Sequence, residues 1–224
     1  MREQAPVPPG YQIEPLRWSE QHSVAEVLVR AFQDDPLVNA ICGPANPDGR
    51  RRMYWSFLLS VRGHSLSSQP AWVVRHRQGR CAAVVLVSRP GMALQSRSDV
   101  WFSLRALCRI GWSATRRGVE AAEAIVRHAP PVPFTYVRTL AVDPSVQRHG
   151  LGSALLSHVF AHSPPAWPVY LETARERNVL FYSQHGFECI GTFRCLDVTI
   201  WRMFRPAAAL AGGRQSVRVY SAGS

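Results

Sequence analysis

The chain has no lysine. All 26 of its basic side chains are arginine, against only 15 Asp and Glu, which leaves a formal charge of +11 over 224 residues. Arginine stays charged at any physiological pH and grips phosphate with two parallel hydrogen bonds. The surplus therefore favours anionic ligands such as CoA, nucleotides or nucleic acid. Arginine in place of lysine is also what G+C-rich coding produces, and it points to a high-G+C bacterial source. Long apolar runs are missing too. Cys81 to Val87, seven residues, is too short for a membrane span. Met1 to Gly10 is polar and rich in proline, without the apolar stretch of a signal peptide. The expected location is the cytoplasm, with no membrane partner. The five cysteines (Cys42, Cys81, Cys108, Cys189, Cys195) are odd in number and none form a Cys-x-x-Cys pair. Scattered reduced thiols fit that spacing better than a disulfide framework or a zinc site, and no metal is expected.

With 46% hydrophobic residues the chain is long and apolar enough for one globular domain. Tyr11 to Leu16 reads as a first strand, and Ser19 as a cap for a helix to Phe32 with a Val24, Val27, Leu28, Ala31 stripe. Asp34-Asp35-Pro36 ends that helix, Leu37 to Gly49 reads as turns, and Arg50 to Arg62 as a helix with an aromatic face. Ala71 to Arg77 and Cys81 to Ser88 form a hairpin about Gln78-Gly79-Arg80. Ser98 to His128 is helical, with breaks expected near Gly111 and Gly118, and its arginines read as a solvated amphipathic face. After the stiff Ala129 to Pro133 connector come a strand (Phe134 to Val142), a helix (Gly150 to Ala161), a strand (Pro168 to Glu172), a helix (Asn178 to His185) and two strands (Phe187 to Phe193, Leu196 to Met203). The pattern gives an α/β (α+β) fold with a mixed sheet over residues 11–205. A flexible N-terminus (1–10) and a mobile tail (206–224) flank it.

The most telling segment is Gln147-Arg148-His149-Gly150-Leu151-Gly152, between strand and helix. Glycines at such a junction let backbone N–H groups close on an anion, helped by the helix's unpaired donors and positive end. A dinucleotide is one occupant to weigh. Gly150-Leu-Gly152 begins as the G-x-G-x-x-G/A fingerprint does, and Glu172 stands where a ribose-binding acid belongs. Against it, bulky Leu155 fills the third glycine position and Asp143 to His149 separates the glycines from the strand. An acyl-CoA is the other occupant.

Here the arrangement resembles the GNAT superfamily of N-acetyltransferases. Their acetyl-CoA motif, Gln/Arg-x-x-Gly-x-Gly/Ala after an L-x-V-x-P strand end, is matched by Leu140-Ala141-Val142-Asp143-Pro144 and Gln147 to Gly152. Their second block is matched by Asn178, Phe181-Tyr182 and Gly186-Phe187. Within the superfamily the chain looks most like the puromycin N-acetyltransferase type, through His128-Ala-Pro130-Pro-Val-Pro133, Leu171-Glu172-Thr173, Arg177-Asn178 and Ala31-Phe32 with Pro36. The resemblance implies a GNAT-like fold with a helical insertion before the cofactor-binding strand. It implies acetyl-CoA as donor and the primary amine of a small, antibiotic- or metabolite-like molecule as acceptor.

Four roles follow from moving an acetyl group from a thioester to an amine: a grip on the donor, a donor to its carbonyl oxygen, a base for the amine and an acid for the thiolate. The resemblance assigns the grip to Gln147, Arg148, His149, Gly150, Leu151, Gly152 and Ser153, with pantetheine pairing along Leu140, Ala141 and Val142. It assigns the oxyanion donor to the N–H of Leu140 and the acid to Tyr182, whose neutral phenol (pKa about 10) can donate to a thiolate. Asn178 is expected to orient the cofactor arm or to cap its helix. Some relatives carry a glutamate base on the cofactor-binding strand, four residues before the oxyanion donor; that position is Tyr136 here. Glu172 is then the foremost carboxylate for a base or an anchor, ahead of Asp34, Asp35 and His128. Phe32, Trp55, Trp101 and Trp112 are candidates to line the acceptor pocket. The chain is expected to be a monomer or homodimer. The alternative is an RNA- or aminoacyl-tRNA-directed module using the arginines, with nucleic acid the lesser expectation.

Overall fold

The computed structural model describes residues 6–43, 47–91 and 107–207. Residues 1–5, the 98–106 part of the expected long helix (with Trp101 and Arg105), and 208–224 of the expected tail lie outside the described residues. Seven strands form one sheet in the order β1-β2-β3-β4-β5-β7-β6. They are β1 (Tyr11–Pro15), β2 (Ala71–His76), β3 (Cys81–Ser88), β4 (Thr135–Val142), β5 (Val169–Thr173), β6 (Glu188–Cys195) and β7 (Val198–Arg205). Every neighbouring pair is antiparallel except β4 and β5. A parallel pair needs a crossover, and α5 (Leu151–His162) supplies it.

Helices α1 (Gln21–Phe32), α2 (Pro36–Cys42), α3 (Pro47–Leu66) and α4 (Trp112–His128) precede β4 in the chain, and α6 (Glu176–Gln184) follows β5. The β3 run is apolar throughout because both its faces are covered. Val84 and Leu86 pack with Val24 and Leu28 of α1, whereas Ala83 and Val85 pack with Leu151, Leu155 and Leu156 of α5. Those α5 leucines are at most 1% exposed, and each contributes about 1.5–3 kcal/mol by leaving water.

Several expectations are corrected. Leu37 to Cys42 is helical, not turn. The Asp35 Oδ1 atom accepts from the Leu37 and Val38 N–H groups, and Pro36 stands at the first helical position, so the residue expected to stop one helix starts the next. Ser19 lies in a 3₁₀ turn and the α1 cap is Glu20. Gly111, with φ +81°, does precede a fresh helix start, but α4 runs unbroken through Gly118; one helical glycine costs only about 1 kcal/mol against alanine. The helix α6 begins at Glu176, two residues before the expected Asn178, with Arg175 as its cap.

β4 and β5 are in register only at Thr135↔Val169 and Tyr136↔Tyr170, although both continue. The cause lies on the other side of β4. Against β3, Leu86 faces Thr139 and Val87 faces Val137, which leaves Arg138 as an extra residue in a bulge. A bulge bends its strand and adds twist, so β4 turns away from β5 and its outer edge opens.

Asp143 closes β4. Its N–H donates to the Ala82 carbonyl, its Oδ1 accepts from the Ser145 N–H and hydroxyl, and its Oδ2 accepts from Arg30 Nε and Nη2 at 2.9 and 2.6 Å. Burial pushes this carboxyl up, but the Ser145 and Arg30 hydrogen bonds outweigh that and hold it below the usual range. A depressed carboxyl stabilises the fold above the ordinary carboxylate range, and that stability is lost as pH falls through its folded value. Asp143→Ala is expected to cost about 1–3 kcal/mol in denaturant unfolding. The variant should also lose less stability than the wild type on acidification.

Candidate active site

The opened edge of β4 carries free backbone groups. Because the Asp143 N–H points at β3, the alternation of an antiparallel ladder sends the Ala141 N–H the same way and those of Leu140 and Val142 outward. The Val142 carbonyl, on that outer side, accepts from Gln147 Nε2 at 3.1 Å. Gln147 thus ties the following loop to the strand. The Leu140 N–H faces the gap between β4 and β5.

The loop ends in two left-handed residues, Arg148 (φ 65°) and Gly150 (φ 79°), and Gly150 caps α5. Its carbonyl accepts the Ala154 N–H. Helix geometry leaves the Leu151, Gly152 and Ser153 N–H groups without an intrahelical partner at the positive end of α5. His149 turns its Nδ1 to the Val146 carbonyl at 3.1 Å. Gly152 has a packing reason as well: a Cβ there would stand 3.3 Å from Phe181 Cζ and 3.7 Å from Val142 Cγ2. Its bare backbone lets α6 close on α5 beside the β4 edge.

That closure brings Tyr182 into one packed cluster with Leu140, Val142 and Leu151. The phenol makes no hydrogen bond to the described residues. Burial, and then the charge of Asp35, push it well above the ordinary tyrosine value, so it holds its proton at every physiological pH. Asn178 Nδ2 donates to Thr173 Oγ1 at 3.1 Å, which fixes the start of α6 against the end of β5.

Glu172 flanks the gap from the opposite face of β5. Its Oε2 accepts from the Tyr136 hydroxyl at 2.8 Å, and its Oε1 is buried with no hydrogen-bond partner among the described residues. Burial pushes the carboxyl up to about 7, against the Tyr136 and Tyr170 hydroxyls and the Arg202 guanidinium, which favour the anion. A carboxylate with that value and a free oxygen is matched to proton transfer near neutral pH. The structure therefore gathers Leu140, Val142 and Tyr182 on one side of the gap and sets Glu172 on the other.

The remaining carboxylate candidates differ. Asp35 is 6% exposed; its Oδ1 caps α2 and its Oδ2 lies 3.6 Å from Arg175 Nε. Burial pushes it up too, and it stands within electrostatic reach of Tyr182. Its signal was Asp before Pro at a helix start. His128 is held at the end of α4: its Nδ1–H donates to the Ala124 carbonyl at 2.8 Å and its ring stacks on Phe193 at 4.2 Å. Phe32 packs on Phe57 in the core, while Trp55 lies under Arg109. The Tyr136–Glu172 contact joins residues on neighbouring strands, and no spacing rule in the sequence reveals it.

No described helix is long and apolar enough to cross a membrane, and the described residues include no group of three or more His, Cys, Asp or Glu able to hold a metal. The described cysteines are free thiols. The mixed antiparallel sheet is not the doubly wound sheet of a dinucleotide fold.

Residues 109–189 match the family model described as the acetyltransferase (GNAT) domain. The fold is similar to that of the histone acetyltransferase HPA2 and related acetyltransferase from Corynebacterium glutamicum, at 24% identity over 89% of this chain and 97% of that one, TM-score 0.70. It is also similar to arylalkylamine N-acetyltransferase 2 from Aedes aegypti, at 15% identity over 88% of this chain and 99% of that one, TM-score 0.60. The matched stretch takes in β4 with its open edge, the glycine loop, α5, Glu172 and Tyr182, so the part of the chain that is similar to an acetyltransferase (GNAT) domain is the part that builds the gap.

Proposed function

We propose that the protein transfers an acetyl group from acetyl-CoA to the primary amine of a small molecule. The observation that carries this reading is the free Leu140 N–H on an opened strand edge beside the unpaired amides that begin α5. A donor set made of strand-edge amides plus a positive helix end fits a pantetheine arm that ends in a diphosphate. When bound, acetyl-CoA supplies a thioester carbonyl open to attack. Leu140 to Val142 would hold the arm, and the loop from Gln147 to Ser153, with Arg148, would hold the diphosphate. The Leu140 N–H would then donate to the acyl oxygen, where a preorganised donor lowers the barrier most.

Glu172 is the carboxylate that would accept the ammonium's proton, and its value near 7 lets it do so without holding that proton too tightly. The Tyr182 hydroxyl holds the proton that the departing thiolate needs. The puromycin N-acetyltransferase-like blocks and the arylalkylamine enzyme among similar folds favour a small organic amine as acceptor. An RNA-directed role is less well supported, because several arginines are engaged within the fold. Arg30 pairs with Asp143, Arg75 with Glu14 and Glu20, and Arg117 with the Ile41 carbonyl, while Arg205 lies over Phe160.

Two experiments test the assignment, both by thiol release on a panel of amines. Tyr182→Phe is expected to lower kcat by about 10²–10⁴-fold, the usual share of a general acid, with acetyl-CoA affinity held by calorimetry. Unchanged kcat would remove Tyr182 from the acid role. For Glu172, the wild-type kcat/KM should rise with pH through about 7, because only the carboxylate can accept the proton. Glu172→Gln should lose both rate and that ascending limb. If Asp35→Asn, which keeps the capping oxygen, abolishes the limb while Glu172→Gln retains it, the base is Asp35.

A further inference from the structure

A second charged feature stands apart from the β4–β5 gap. At the start of α4, Arg52, Ile110, Gly111, Trp112, Ser113, Ala114 and Arg117 line a cavity of about 400 Å³, a size typical of small-molecule sites (about 300–1,000 Å³). Both arginines use their Nε on the last carbonyls of α2. Arg52 Nε donates to Cys42 O, while Arg117 Nε and Nη2 donate to Ile41 O and its Nη1 to Ser113 Oγ. Gly43 allows this, since a Cβ there would stand 2.9 Å from Arg52 Nη2. Neither guanidinium meets a carboxylate among the described residues, and the Nη groups of Arg52 are left over. The negative end of α2 offsets about half a charge, and the positive end of the 17-residue α4 supplies about as much of the opposite sign. Two full positive charges remain beside an indole that is 70% exposed.

We propose that this cavity seats an anionic group, carboxylate or phosphate, carried by the acceptor amine at the end remote from its nitrogen. The inference rests on the acetyltransferase reading above and narrows its substrate class. The geometry links the two sites through α2. Asp35, within electrostatic reach of Tyr182, caps its first turn, and the arginines close its last. Seven residues at 1.5 Å each separate them by about 10 Å. An acceptor whose amine lies at the gap and whose anion lies under Arg52 is elongated, with a spacer about as long as α2. Trp112 offers a flat apolar wall to that spacer or to a ring next to the anion.

The test compares octylamine, ω-aminooctanoate and ω-aminooctyl phosphate as acceptors in wild type, Arg52→Gln and Arg52→Lys, read as the ratio of kcat/KM between each anionic amine and octylamine. The ratio cancels any general loss of activity from a weakened α2 terminus. The wild type should favour at least one anionic amine by about tenfold, about 1.4 kcal/mol. Arg52→Gln should bring the ratio close to one, and Arg52→Lys should retain part of it. Which anion wins tells carboxylate from phosphate. Equal kcat/KM for the three amines in the wild type, or a ratio that Arg52→Gln leaves in place, overturns the inference while the acetyltransferase reading stands. In a parallel titration, inorganic phosphate should quench tryptophan fluorescence in the wild type and less in Arg52→Gln and Trp112→Phe. Phosphate quenching without thiol release from any amine would defeat the acetyltransferase reading, and the acceptor inference would fall with it.

Discussion

The parting of β4 from β5 after Tyr136 and Tyr170 is the constraint on which the site depends. Carried on in the same register, the ladder would have brought Leu140 opposite Ala174, just past the end of β5, and closed the sheet up to that point. One extra residue, Arg138, in the β3–β4 ladder diverts the strand instead. The cost of leaving backbone donors unmatched is bearable only where a ligand or water can reach them. The surrounding structure holds the gap open from several sides. Arg30 and Asp143 anchor the end of β4, Gln147 ties the loop back to Val142, and Gly152 lets Phe181 press α6 inward.

Proton management follows from the same geometry. Tyr136 on β4 donates its hydroxyl across the parallel pair to Glu172 on β5 and so holds that carboxylate beside the gap. Burial decides the protonation states on both sides of the gap. It brings Glu172 near 7 and pushes Tyr182 far above it, which separates a group able to accept a proton from one able to keep one.

Much of this was legible in the chain. The β-branched runs of β2 and β3 about their turn, the β4–loop–α5 unit and the Asn178 to Phe187 block have local signatures of composition, glycine placement and spacing, and they appear within one or two residues of where they were expected. The misses have local causes as well. Asp35-Pro36 is a stop signal for one helix and a start signal for the next, and only tertiary packing against α4 decides that α2 forms. Gly118 looks like a break, but Ala114, Ala121 and Ala124 bury the helix face around it and outweigh its propensity. The Arg138 bulge and the Tyr136–Glu172 pair depend on register between strands distant in sequence, for which one chain carries no local mark.

The central claim is that the free edge of β4 and the first amides of α5 together receive the donor. Amide hydrogen exchange with and without CoA tests it most directly. The account predicts new protection at Leu140 and Val142 and at Leu151 to Ser153, with little change at Ala141, whose N–H already faces β3. Exchange left unaltered at those amides under saturating CoA, or protection confined to another part of the sheet, would contradict it.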